Sequence, residues 1–167
     1  MKGRARALGH SIHPMLIVFP LGLLVTAVVF DLVYLLGGDD VFASVAYWDI
    51  AAGLIGGALA AVAGLVDWLS IPNGTRAKRI GLLHAGGNAT VMVLFLISLI
   101  GRAGGDHEPN AGWFILELVA LGIGTVGAWL GGELVERLGI GVDTGANVDA
   151  PSSLSKRPAS PGRTATA

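Results

Sequence analysis

His10 and His13 stand three residues apart in "GHSIHPMLIVFPLGL" at 9–23, at the mouth of a run that carries no charge from Met15 to Phe30. A third histidine, His84, follows Asp67 and precedes Asn88. Neutral imidazole is the commonest protein ligand for metals, and a carboxylate or amide beside it can fix which ring nitrogen is free. Four more ionisable residues, Asp31, Asp49, Arg102 and Glu117, interrupt otherwise apolar stretches. A charge at the centre of a lipid bilayer costs about 2.5–3.5 kcal/mol on insertion scales, so each of these needs a partner or a task.

The elements that must position them are membrane spans. The chain is 53% hydrophobic and only 14% charged, with 26 glycines, which is the composition of a polytopic membrane protein. Its mean hydropathy of +0.68 agrees. A net charge near −1 and the lack of any recognition motif give no reason to expect nucleic-acid binding. Zero cysteines exclude disulfides, thiol catalysis, iron–sulfur ligation by cysteine and covalent c-type haem. No nucleotide loop, hydrolase elbow or H-E-x-x-H motif occurs, so the chain is not expected to be an enzyme by itself.

Spans of about 20 mainly apolar residues are expected at 14–36, 47–69, 80–100 and 112–130. The first is too long for a signal-peptide core and lacks a small-x-small cleavage site, so it is read as a retained helix. The expected fold is all-α: an integral membrane four-helix up-down-up-down bundle with a disordered C-terminal tail. Residues 1–13 would be a cytoplasmic N-terminal segment, 14–139 the transmembrane domain and 140–167 the tail, which is rich in Ser, Pro, Thr and Gly.

Charge sets the expected orientation. Ten of the eleven Lys and Arg residues fall on the side that holds both termini and the loop between spans two and three; only Arg102 falls on the other. Both termini should therefore be cytoplasmic, in a bacterial inner membrane. Spacing then predicts two layers. His13 and Asp31, Asp49 and Asp67, and His84 and Arg102 are each 18 residues apart, five whole helical turns. Each pair shares one helix face, with one member near each membrane surface.

In the outer layer, Arg102 would neutralise Asp31, Asp49 or Glu117 and pin the helices as a structural ion cluster. A proton or ion path is the functional alternative. In the cytoplasmic layer three readings stay open. His13 and His84 would be axial ligands of haem b, with Asp67 and Asn88 orienting ring nitrogens and His10 an alternate ligand. Otherwise a single metal ion would be held by His10, His13, His84 and Asp67 or Glu133. Or His13 caps a helix starting at Pro14 and His84 bonds Asp67. His107 is expected as a solvated loop residue, and Tyr47, Trp48, Trp68 and Trp113 as interfacial anchors.

Gly53–Gly57 and Gly127–Gly131 are G-x-x-x-G pairs that let helices approach closely inside the bundle; a homo-oligomer contact is the other use. "DIAAGLIGGALA" from Asp49 is echoed by "ELVALGIGTVGA" from Glu117, a faint internal repeat.

Three strings, "GHSIHPMLIVFPLGL" at 9–23, "AGLVDWLSIPNGTRAKRIGLLHAGGN" at 63–88 and "WLGGELVERLGIGV" at 129–142, together with Asp31, resemble bacterial domain-of-unknown-function family 2231. The resemblance implies a small four-helix membrane protein without an assigned activity. Family members joined to Rieske-type or cytochrome c-like modules imply membrane electron transfer. With no such module and no cysteine in these residues, a redox partner is expected to be a separate protein.

Overall fold

The computed structural model describes residues 1–155 and 157. A two-residue-per-strand hairpin opens the chain: β1 (Arg6–Ala7) pairs antiparallel with β2 (His10–Ser11). Its turn is Leu8–Gly9, both at positive φ (48° and 87°), the geometry whose twist matches paired strands. Helix α1 (Ile12–Leu16) follows directly, then α2 (Val18–Leu35), α3 (Asp40–Leu69), α4 (Arg76–Arg102) and α5 (Ala111–Gly132). A π-helical turn, Glu133–Arg137, closes the last helix.

The first span starts earlier than the sequence suggests. Ser11 is the N-cap and Pro14 sits within the first turn, where its missing N–H has no intrahelical partner to lose. His13 therefore lies inside the helix and does not cap it. Pro20 explains the break between α1 and α2: it cannot donate to the Leu16 carbonyl, and its ring crowds that oxygen. The other long helices carry side-chain caps, with Asp39, Thr75 and Asn110 accepting from the first-turn N–H groups of Val41, Lys78, and Gly112 with Trp113.

Two helical hairpins make the bundle: α2 lies along α3 and α4 along α5, with α3 against α4 and α2 against α5 joining them. Leu24, Ala27, Val28, Ala46, Ile50, Val91, Phe95 and Ala120 form the core. Small residues bring the backbones together. A Cβ added at Gly53 would lie 2.8 Å from Leu24, and one at Gly57 2.5 Å from Met92. These glycines thus meet side chains of other helices within the same bundle. Gly122 and Gly132, in contrast, have nothing within 4 Å.

The four spans are Ile12–Leu35, Asp40–Leu69, Arg76–Arg102 and Ala111–Arg137, and only 17–28% of the most apolar window of each is buried in the protein. Val25, Ile55, Leu59, Val62, Leu83, Val93, Ile115 and Val126 are among the large apolar side chains left outside. Water does not tolerate so continuous an apolar surface; lipid does.

The expected tail has no helix or strand as far as it is described. Its first part nevertheless lies on the N-terminal hairpin: Gly141 donates to the Met1 carbonyl at 2.8 Å, and Asp143 pairs with Lys2 and Arg6, each at 3.2 Å. The hydrogen bond from Lys2, then that from Arg6, holds the Asp143 carboxyl below its ordinary pKa. Residue 156 and residues 158–167 lie outside the described residues.

Candidate functional site: a histidine pair and a buried ion cluster

The two ends of the bundle collect different chemistry. At the end near the chain's start, His13 of α1 and His84 of α4 come from different hairpins and meet edge-to-face, ring centroids 6.2 Å apart and planes at 84°. The Nδ1 of each ring lies 2.8 Å from a backbone carbonyl of the facing helix, Ala60 for His13 and Gly127 for His84. A carbonyl only accepts, so each Nδ1 must carry the hydrogen. In the neutral form of a ring held this way the lone pair is on Nε2.

Glycines make room for both rings. A Cβ at Gly64 would come within 3.0 Å of the His13 ring, and one at Gly131 within 3.1 Å of His84. The two halves are built alike: in each, the carbonyl acceptor (Ala60, Gly127) lies four residues before the glycine that abuts the ring (Gly64, Gly131).

The other expected members of this layer are elsewhere. His10 is in β2, exposed, 3.1 Å from Ser153 Oγ. Asp67 does not touch His84; one of its oxygens accepts from the backbone N–H groups of Arg4 (2.6 Å) and Ala5 (2.9 Å), so it anchors the N-terminal segment. Glu133 pairs with Arg76. The metal site expected from His10, His13, His84 and Asp67 or Glu133 is therefore not assembled. Among the described residues, no group of three or more His, Asp or Glu side chains is placed to hold a metal ion. Asn88 does stay beside His84, where its amide donates to the His84 carbonyl at 2.8 Å and lies 3.4 Å from both ring nitrogens.

At the far end Arg102, fully buried, forms a two-pronged pair with Asp31: Nη1 to Oδ2 at 2.7 Å and Nη2 to Oδ1 at 2.9 Å. Nη1 also reaches Glu117 Oε1 at 3.1 Å, and the same oxygen accepts from Ser98 Oγ. Asp31, Ser98 and Glu117 are each at 0% exposure. The remaining guanidinium N–H groups turn to the His107 carbonyl, from Nε at 3.0 Å and Nη2 at 2.9 Å. Planar, multidentate pairing of this kind is what arginine does and lysine cannot.

Asp49 does not join this cluster. Ile50, one residue on, takes the inward position in α3, while Asp49 is half-buried to one side. His107 is not a solvated loop residue either. It holds a positive φ of 65°, its ring stacks on Tyr47 at 3.8 Å, and its carbonyl closes the arginine. No spacing rule in "GGDHEPN" signals this, because a carbonyl acceptor has no residue type. Ser98 was equally invisible, being one serine in an apolar run.

Two of the aromatic residues expected as interfacial anchors are half-buried against a neighbouring helix. Trp68 abuts Gly81 and donates its Nε1–H to the Lys78 carbonyl, with Lys78 Nζ 3.8 Å over its ring. Trp113 lies on Gly101. Trp48 remains exposed.

Fold and sites together define a small four-span helical membrane protein with one histidine end and one arginine end. The family model described as "Predicted membrane protein (DUF2231)" matches residues 9–144, and the chain belongs to that family. No curated protein and no solved structure matches it.

Proposed function

We propose that this is a membrane electron-transfer protein whose histidine end would hold haem b through His13 and His84. The observation that carries the reading is the shared presentation of the two rings. Each donates Nδ1–H to a backbone carbonyl, the arrangement that fixes a ligating histidine and leaves Nε2 for a metal. Their centroids are 6.2 Å apart although the rings come from separate hairpins, close enough for one bound group to be held by both. Gly87, three residues after His84 on α4, is half-buried with nothing within 4 Å of a side-chain position.

Bound there, haem would supply one-electron transfer. The protein's part is to hold both rings from separate hairpins, with Asn88 against His84. His10, Asp67 and Glu133 have no place in this site, and a redox partner would dock from outside.

The test is an absorption spectrum of protein produced with ample haem. A Soret band that disappears in both His13→Ala and His84→Ala is expected; colourless wild-type protein would overturn the assignment. The basic residues Lys2, Arg4, Arg6, Arg76, Lys78 and Arg79 all belong to the histidine end, so that end is read as cytoplasmic. A reporter active only in the cytoplasm, fused after Ala167, should be active; an inactive fusion reverses the orientation.

A further inference from the structure

The arginine end contains one carboxylate more than its guanidinium can neutralise. Asp31 takes the two-pronged pair with Arg102, and Arg102 spends its other N–H groups on the His107 carbonyl and on Glu117 Oε1. Glu117 Oε1 has a second donor in Ser98 Oγ. Glu117 Oε2, on the same fully buried side chain, meets no N–H or O–H donor among the described residues. The two carboxyl groups are neighbours on one nitrogen: Asp31 Oδ2 and Glu117 Oε1 both accept from Arg102 Nη1, at 2.7 and 3.1 Å. Two carboxyl groups that share a site in this way disfavour a second ionisation, so one of them keeps its proton. A second full negative charge whose Oε2 meets no donor would also be costly to bury.

We propose that Glu117 is a carboxylic acid that keeps a proton on its Oε2, next to the ionised Asp31, which makes the arginine end a proton-binding site within the span. The ligand is a single proton. When it binds, the Asp31–Arg102–Glu117 group is neutral; when it leaves, the group carries one net negative charge shared by two carboxylates on one guanidinium. The groups facing the site are few: Asp31 from α2, Arg102 and Ser98 from α4, Glu117 from α5, and only the Ala43 carbonyl from α3. Asp49 stands outside it. The loop contributes the His107 carbonyl, with the imidazole turned onto Tyr47. The site is therefore closed by backbone and aromatic surface.

Glu117→Gln separates this arrangement from an ionised Glu117. The amide NH2 is uncharged and takes the place of the acid O–H at Oε2, and the amide oxygen can still accept from Ser98 and Arg102. Infrared spectra of the full-length protein in detergent near neutral pH should give a wild-type minus Glu117→Gln difference with one carboxylic acid carbonyl band. That band should shift in D2O, and Glu133→Gln should leave it in place. The thermal midpoint of Glu117→Gln should stay within about 4 °C of wild type, the shift that roughly 1 kcal/mol produces in a chain of this size. A difference spectrum without the acid band overturns the proposal. So does a Glu117→Gln protein that fails to fold or melts far lower, since that is the result of removing a charged partner from Arg102.

Discussion

The two ends of this bundle solve the problem of polar groups in lipid in opposite ways. At the arginine end, all the guanidinium's directions are used: Asp31, Glu117, and the carbonyl of a loop that closes over it. At the histidine end each ring is held through Nδ1 by a backbone carbonyl, and only the Asn88 amide, 3.4 Å from both nitrogens of His84, adds a side-chain contact. Saturation fixes structure, whereas a regularly presented open valence invites a ligand. The contrast teaches that burial of charge alone does not mark a reactive site in a membrane span. What distinguishes the two ends is what is left over: two neighbouring imidazoles held through Nδ1 at one end and one carboxyl oxygen without a donor at the other.

The sharpest way to break the comparison is to remove one side chain at each end. Arg102→Leu strands two carboxyl groups at zero exposure, and breaking such a pair costs about 3–5 kcal/mol. His84→Leu forfeits one hydrogen bond to the Gly127 carbonyl, about 1 kcal/mol net. Reversible unfolding in mixed detergent micelles should therefore show Arg102→Leu several-fold more destabilised. Equal losses would mean that the histidines, too, serve chiefly to hold the helices.

The smallest effect concerns neither buried layer but the strap beside the histidines. Asp143, whose pKa is lowered by Lys2 and Arg6, holds the segment after the last helix against the N-terminal hairpin. A depressed carboxylate pKa contributes above its unfolded value of about 3.9 and is lost as pH falls through the folded value. Proteolysis of the strap should thus be slow near neutrality and faster below about pH 4. At Asp143→Asn it should be fast throughout. The histidine-end spectrum should change little in either case. The contact is exposed, so its influence on overall unfolding should be slight.

Much of this was legible in the chain itself. The five-turn spacing of His13 with Asp31 and of His84 with Arg102 puts each pair on one helix face, and antiparallel spans sort those faces into layers. Side-chain type and helical period carry that information, and lipid forces ionisable groups inward. The failures share a cause. Asp49 and Ile50 are adjacent, and a helix turns by 100° between them, so only packing decides which one faces in. Asp67 was assigned to His84 by depth, yet its nearest donors are backbone N–H groups of the N-terminal segment, which no side-chain pattern announces.

The sequence by itself determined the membrane class, the four spans, the histidine and arginine ends and the family, because apolar length, charge distribution and helical periodicity are one-dimensional properties. Tertiary structure alone decided the hydrogen-bond partners. Backbone carbonyls at Ala60, Gly127 and His107 bind the critical side chains. Every residue owns such a carbonyl, so only the packed chain can say which ones are in reach.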